Sequence, residues 1–295
     1  MEFEYEQSGE WIRITKCLTE DTVVTIPETI DGKTVAELGK YALSGHKLKT
    51  LQLPSGIRTI GAYALYNCEY LETISFYSAI NDIGAGVFTG CTGVRVMDVT
   101  IVPGEKSCLK EVLSELRQTL YVRYRGEQEA RLIFPEFYEE SIENTPARIT
   151  GNQTHGCGHR YRYCFLNTEF QFRDYDSLFP HVKVQEEEEL VAELVMGRLQ
   201  YPLGLMPEHK AEYEEYLAAH METAGRIAAG KEWPQDGQME RLRWLTRNYV
   251  NDIKIADLMA EEARRTGNTA ATSYMMDVRH TRFSDEKPRR RKFEL

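Results

Sequence analysis

Apolar and polar positions along the first third of the chain repeat every 22 or 23 residues. Each copy contains a short segment in which apolar residues alternate with polar ones. A fixed period of this length predicts one supersecondary unit stacked on copies of itself, with its strands aligned in a parallel sheet. The apolar residues then point into the core, and the residues between them point outward. The inward positions of three successive copies are Leu48, Leu51 and Leu53, then Leu71, Ile74 and Phe76, then Val94, Met97 and Val99.

The segment that returns the chain to the next strand is also repeated. Each copy begins with a glycine, which indicates a tight turn, and ends on a large apolar residue that we expect to fill the core. A capping hairpin is predicted before the first copy, because the segments 3–5 and 11–14 alternate apolar and polar residues. The three copies of the return segment are Gly39-Lys-Tyr-Ala-Leu43, Gly61-Ala-Tyr-Ala-Leu65 and Gly84-Ala-Gly-Val-Phe88.

This pattern resembles the BspA-like leucine-rich repeats. The resemblance is carried by Ile60-Gly-Ala-Tyr-Ala-Leu-Tyr-Asn-Cys-Glu-Tyr-Leu71 and Ile83-Gly-Ala-Gly-Val-Phe-Thr-Gly-Cys-Thr-Gly-Val94, and by the preceding Leu53-Pro54 and Ile26-Pro27. It covers about residues 20–100. The resemblance implies a right-handed solenoid and a protein-binding role, and some members of the family sit on bacterial cell surfaces and adhere to host proteins.

The middle of the chain mixes several patterns. Residues 110–117 have helical spacing, and the alternation from Leu120 to Tyr124 predicts a strand that pairs with residues 131–134 as a hairpin. Pro146 and Gly151 predict a loop over residues 144–152. Between residues 159 and 179 the chain is rich in aromatic residues, which indicates a packed junction rather than a linker.

The last third of the chain has helical periodicity. Several short amphipathic segments separated by short breaks predict a domain of helical hairpins. The acidic run 186–189 precedes the first segment and is typical of a helix N-terminus. The predicted fold class is α+β, with a short right-handed leucine-rich-repeat solenoid, a mixed junction and an all-helical C-terminal domain. We place the domains at residues 1–105, 106–180 and 181–284, followed by a polar tail at 285–295.

Charge and composition narrow the classes of function. The formal net charge of −10 argues against nucleic-acid binding, which needs a basic surface. The chain has neither a secretory signal pattern at its start nor an apolar run long enough for a membrane span. We therefore expect a cytoplasmic protein without a membrane partner, or a cell-surface protein if a leader was removed.

In a cytoplasmic protein we expect all six cysteines to be reduced thiols. Cys68 and Cys91 occupy the same position in successive copies of the repeat, and His46 occupies it one copy earlier. We predict that both thiols are buried, reduced and one solenoid turn apart.

A cluster of four residues, His155, Cys157, His159 and Cys164, is the candidate for metal or thiol chemistry. Imidazoles and thiolates are ligands for zinc, and a Cys–His pair can act as a nucleophile. The spacing H-x-C-x-H-x4-C matches no established zinc finger or ribbon, and all four residues lie in one ten-residue stretch. Our interpretation is a glycine-rich loop without metal or other cofactor, although Cys108 and His181 would complete a zinc site if the fold brought them close.

The outward positions of the predicted sheet form the second candidate site. They are small and polar, as a peptide-contacting surface requires. The leading hypothesis is a non-enzymatic interaction or scaffold protein that binds a protein partner through the repeat surface. The alternatives are a cell-surface adhesin and a metal-binding protein or enzyme centred on residues 155–164. The candidate binding residues are Thr25, Thr50, Gln52, Thr73, Ser75, Val96 and Asp98.

Overall fold

The computed structural model describes residues 2–144, 149–230 and 238–283. Its N-terminal part is a β-solenoid of about five turns with parallel sheets, as the repeat predicted. Ten strands build these turns. They are β1 (Phe3–Ser8), β2 (Trp11–Cys17), β3 (Val23–Thr25), β4 (Thr29–Ile30), β5 (Lys33–Leu38), β6 (Thr50–Gln52), β7 (Thr59–Ile60), β8 (Thr73–Tyr77), β9 (Asp82–Ile83) and β10 (Val96–Thr100).

The strands form two sheets on different sides of the solenoid. In the first sheet the order is β1-β2-β5-β7-β9, with β4 paired to β5. Strands β1 and β2 are antiparallel, and β2 pairs parallel with β5, so the predicted hairpin leads directly into the solenoid. In the second sheet, strands β3, β6, β8 and β10 lie side by side in parallel.

The second sheet continues beyond the repeats. Strand β11 (Leu120–Arg125) pairs parallel with β10, and β12 (Glu129–Phe134) pairs antiparallel with β11. The predicted hairpin is therefore present and adds two strands to the solenoid sheet. This sheet passes residue 105, where we placed a domain boundary.

The solenoid core consists of the predicted inward residues. Leu51, Ile74 and Met97 are at most 1% exposed and are cross-strand neighbours. Leu43 and Leu65 from the return segments are fully buried beside them. The alternation of apolar and polar residues in each strand therefore sets which side chains are removed from water.

The cysteines of the repeat are buried free thiols, as predicted. Each thiol donates a hydrogen bond to a carbonyl of the preceding turn, from Cys68 to Leu43 at 3.0 Å and from Cys91 to Leu65 at 3.1 Å. In the preceding copy the ring nitrogen Nε2 of His46 lies 2.9 Å from the carbonyl oxygen of Cys17. In all three copies, the side chain at this position of the repeat contacts a backbone carbonyl oxygen of the preceding turn, which is thereby hydrogen-bonded.

The repeated glycines allow neighbouring turns to approach closely. A Cβ atom on Gly61 would lie 2.6 Å from the backbone nitrogen of Lys40, and one on Gly84 would overlap the backbone of Ala62. Neither glycine has a positive φ. Their role is therefore close contact between stacked backbones, not a left-handed turn.

In the part that the structure describes, the middle segment contains two further hairpins and several short helices. The hairpins pair β13 (Tyr138–Asn144) with β14 (Ile149–His155) and β15 (Phe165–Leu166) with β16 (Glu169–Phe170). Residue 144 and residues 149–152 belong to strands, so the predicted loop over 144–152 is wrong at these positions. The sequence of the first hairpin is mostly polar and lacks the apolar alternation that identifies a strand. The helices are α1 (Leu109–Glu115), α2 (Gly158–Tyr161), α3 (Phe172–Ser177) and α4 (Phe179–Gln185).

The aromatic residues of the middle segment pack against the end of the second sheet. The ring of Phe170 lies 6.0 Å from Phe134 and 5.7 Å from Tyr175, between ring centres. The hydroxyl of Tyr175 donates to the carbonyl of Ile133 at 2.7 Å and accepts from its N–H at 2.9 Å. It therefore occupies backbone groups at the outer edge of β12, which an added strand would otherwise pair with.

The C-terminal part is helical, as the periodicity predicted. The chain divides into two compact units: residues 1–187 with 201–209, and residues 188–200 with the chain from 210 on. Our division at residues 105, 180 and 284 stays a prediction, and the polar tail 285–295 lies outside the described residues. Within the described residues, no helix combines the length and apolar character needed for a membrane span. The helices are α5 (Glu188–Gln200), α6 (Pro207–Ala219), α7 (Met221–Gly230), α8 (Gln238–Asn248), α9 (Ile253–Arg265) and α10 (Thr269–Arg282).

Candidate functional site

The predicted binding residues lie in register on the outward face of the second sheet. One row consists of Thr25, Gln52, Ser75 and Asp98, which are consecutive cross-strand neighbours. The adjacent row places Thr50 beside Thr73 and Thr73 beside Val96. The structure thus brings the seven predicted residues onto one face, and their binding of a partner stays a prediction. We call this face the polar strip, composed of Thr25, Thr50, Gln52, Thr73, Ser75, Val96 and Asp98.

Exposure changes along the polar strip. Thr25 and Gln52 are exposed, and the Thr25 hydroxyl donates to Gln52 Oε1 at 3.1 Å. Ser75 and Asp98 are half-buried, and Val96 is buried. The accessible hydrogen-bonding groups of the polar strip are therefore concentrated at β3 and β6.

Charged residues extend the face beyond the polar strip. Asp98 Oδ1 forms an ion pair with Nε of Arg125 at 2.6 Å. Glu129 lies between two guanidinium groups, at 3.1 Å from Arg123 and 3.0 Å from Arg131. Sequence reasoning predicted Asp98 but missed the charged side chains of β11 and β12, because only the pairing of β11 with β10 brings them to the same face.

A second exposed feature is a ladder of tyrosines on the return segments. The rings of Tyr41 and Tyr63 are stacked with 5.3 Å between centres, and Tyr66 lies edge-on to both. Tyr41 and Tyr63 have φ values of 58° and 57°, a left-handed conformation that few residues other than glycine adopt. Gly86 occupies the same position in the next copy, with a φ of 65°. The repeated Gly-x-Tyr was visible in the sequence, yet the stacking was not predicted.

The candidate ligands at residues 155–164 face different partners. Nε2 of His155 lies 3.2 Å from Oε2 of Glu140, and the Cys157 thiol donates to Oε1 of Glu186 at 3.1 Å. The His159 ring lies 4.7 Å from that of Tyr163, between centres.

The fourth candidate, Cys164, is turned towards the backbone, with its thiol 3.6 Å from the carbonyl of Arg160. In the part of the chain that the structure describes, no three His, Cys, Asp or Glu side chains converge as a metal site would require.

The two thiols of this segment are poor nucleophiles. Burial raises the pKa of Cys164 to about 12. Burial and the neighbouring Glu186 carboxylate raise the pKa of Cys157 as well. Because the thiolate is the reactive form, a higher pKa lowers reactivity at neutral pH.

We expect Cys157 and Cys164 to react with iodoacetamide at pH 7.5 on the order of a thousandfold more slowly than a free cysteine. Both side chains are at most 4% exposed, so burial acts in the same direction. Mass spectrometry of peptides from timed labelling measures this rate. The same protein in denaturing urea is the control and should label fully. Rapid labelling of Cys157 in the native protein would contradict the raised pKa.

Comparison with known proteins identifies the repeats. Residues 21–105 match the model of the BspA type leucine rich repeat region, in six copies. Among solved structures, the chain is similar to a T. pallidum leucine rich repeat protein, with 26% identity over 39% of this chain and 55% of the other, and a TM-score of 0.32.

A leucine rich cell surface protein from Faecalibacterium prausnitzii A2-165 is similar at 20% identity over 35% of this chain and 36% of the other, with a TM-score of 0.31. The chain thus spans about half and about a third of the length of these two structures. No curated protein matches the chain.

Proposed function

We propose that this chain, whose residues 21–105 form a BspA-type leucine-rich-repeat region, is a non-enzymatic interaction or scaffold protein that binds a protein partner through the polar strip. The observation that carries the proposal is the register of the second sheet, which aligns seven small polar or apolar side chains on one outward face. Leucine-rich repeats of this type are usually protein-binding or cell-surface proteins.

The geometry of a parallel sheet suits this role. Neighbouring strands are about 4.8 Å apart, so the side chains of one row present hydrogen-bonding groups at regular spacing. The side chain of Thr25 is short, and its hydrogen bond to Gln52 already restricts both side chains. Less side-chain entropy is then lost when a partner binds than on a surface of long, free side chains.

We propose further that the protein works in a reducing compartment, such as the cytoplasm. All six cysteines are free and buried, and those of the repeat donate hydrogen bonds as thiols. Free thiols persist where glutathione and thioredoxin keep proteins reduced. Fractionation of the source cells tests this proposal, since protein found on the cell surface would favour the adhesin alternative.

Site-specific photocrosslinking tests binding through the polar strip. A benzophenone amino acid is placed at Thr25 or Gln52 in separate variants, and at Val184 as a control that is 85% exposed on α4. We expect the two variants in the polar strip to crosslink the same protein in the source cells. The control should not crosslink that protein.

A second pair of variants measures the contribution of the side chains. Gln52→Arg places a long charged side chain on the polar strip and should reduce affinity for the captured partner at least about tenfold. A matched Glu4→Arg variant lies on exposed β1 of the first sheet and should leave affinity unchanged. Equal crosslinking from all positions, or equal affinity of the two arginine variants, would contradict binding through the polar strip.

A further inference from the structure

An open pocket of about 490 Å³ lies beside the loop that connects β14 to α2. Helix α4 supplies its opposite wall through His181 and Gln185. The pocket therefore collects three of the four residues that the sequence singled out as zinc ligands, together with His181. Its lining consists of Thr154, His155, Gly156, Cys157, His159, Arg160, His181 and Gln185, and we call it the basic pocket.

The lining of the basic pocket has the opposite charge character to the whole chain. It contains three imidazoles and one guanidinium but no carboxylate, in a chain with a formal net charge of −10. A guanidinium is always protonated in proteins, so Arg160 gives the pocket a permanent positive charge. An accumulation of basic groups in an acidic protein indicates a site for a negatively charged ligand.

The arrangement of Arg160 and His181 supports the same conclusion. Nη1 of Arg160 lies 3.2 Å from Nε2 of His181. Since the guanidinium can only donate, His181 accepts this bond through Nε2, and its other ring nitrogen carries the proton. Among the described residues, no carboxylate forms an ion pair with Arg160 or His181. The remaining N–H groups of Arg160 are therefore available to a ligand.

Two acidic residues nearby, Glu140 and Glu186, are bonded to groups that line the basic pocket. Glu140 contacts His155, whose ring is stacked on Tyr138 with 4.6 Å between centres. Glu186 accepts the hydrogen bond from the Cys157 thiol. These contacts fix the orientation of His155 and Cys157 and leave Arg160 as the cation that faces the open space.

We propose that the basic pocket binds a phosphate group, held by the guanidinium of Arg160 and by N–H groups of the surrounding imidazoles. A guanidinium presents parallel N–H donors that match two phosphate oxygens, and such charge-assisted bonds are stronger than neutral ones. The ligand is either free phosphate or a phosphorylated side chain of a protein. This inference is independent of binding through the polar strip, because it uses different residues of the same unit.

Isothermal titration calorimetry of the full chain tests the proposal with three probes. These are inorganic phosphate, N-acetyl-phosphoserine amide and N-acetyl-serine amide. We expect saturable binding of at least one phosphorylated probe and none of N-acetyl-serine amide. If inorganic phosphate binds as tightly as N-acetyl-phosphoserine amide, the ligand is free phosphate. If the phosphoserine derivative binds more tightly, the ligand is a phosphorylated side chain.

Two variants connect this binding to the basic pocket. Arg160→Gln should weaken it at least about tenfold, the effect of losing one charge-assisted pair. Arg173→Gln, which removes another exposed arginine, on α3 and outside the pocket lining, should leave it unchanged. Thermal melts of both variants should match that of the parent. The proposal is overturned if neither phosphorylated probe binds saturably, or if the two variants have the same affinity as each other.

Discussion

The substitution Leu51→Asp is expected to unfold the solenoid. Leu51 is fully buried on β6, between Val24 of β3 and Ile74 of β8. An aspartate at this position would place a carboxylate in an apolar core without a partner, at a cost of several kcal/mol. The total stability of a protein of this kind is typically about 5–15 kcal/mol. Urea denaturation followed by circular dichroism should show the loss of the cooperative transition or a large shift of its midpoint.

The neighbouring residue provides a matched control. Gln52 lies on the same strand and is exposed on the outward face. Gln52→Asp introduces the same carboxylate one position away, where water solvates it, and should change stability by less than about 0.5 kcal/mol. Similar stabilities of the two variants would show that the inward and outward faces are wrongly assigned.

The substitution Arg162→Met is expected to destabilise the middle segment by about 4 kcal/mol or more. Arg162 is fully buried, and its guanidinium lies 4.9 Å from the centre of the Phe137 ring. Burial lowers its pKa to about 10, so the group remains protonated at neutral pH. It donates to five carbonyl oxygens, those of Leu113, Leu116, Gln118, Pro135 and Gly158.

The size of this effect follows from those five acceptors. Methionine fills a similar volume but its side chain donates no hydrogen bond, so these carbonyl groups would lose the guanidinium donors. Among the described residues, only the carbonyl of Gly158 keeps a bond, from the backbone N–H of residue 162. The variant Arg162→Lys distinguishes the contribution of the positive charge from that of the hydrogen bonds. The ammonium keeps the charge but cannot reach acceptors arranged around a planar fork, and we expect it to recover less than half of the loss.

The control for Arg162 lies two residues away. Arg160 is exposed, and Arg160→Met should change the free energy of unfolding by less than about 0.5 kcal/mol. Urea denaturation of the three variants under identical conditions gives the comparison. An Arg162→Met protein as stable as Arg160→Met would show that the buried hydrogen bonds contribute nothing to the fold.

Local patterns were sufficient to predict the solenoid. The positions of Leu51 and Ile74 in the repeat predicted which side chains are buried. The equivalent positions of Cys68 and Cys91 predicted how successive turns stack. The polar strip followed from the same period, because outward residues must alternate with inward ones. The hairpin of β13 and β14 could not be predicted, since its two segments are mostly polar and carry no apolar alternation.

Features that depend on contacts between distant segments could not be predicted. The acceptors of Arg162 come from residues up to 49 positions away in the sequence, and nothing in the local pattern selects this arginine over Arg160. His181 was considered only as a zinc ligand, yet it contacts a guanidinium in the basic pocket. A cluster of basic side chains from two separated segments is defined by the fold, so composition alone cannot reveal it.

The closed edge of β12 also restricts how the repeat array can change in evolution. Arrays lengthen when a unit is duplicated, and each new unit must pair with a free strand edge. Because β12 runs antiparallel and Tyr175 occupies the backbone N–H and carbonyl of Ile133, a new parallel unit could not pair with β12 at this residue. A duplicated unit can be accommodated between β3 and β11, where every strand has a parallel neighbour on the same sheet. Lineages of this protein should therefore differ in length within the array and keep the segment from β11 to Tyr175 intact.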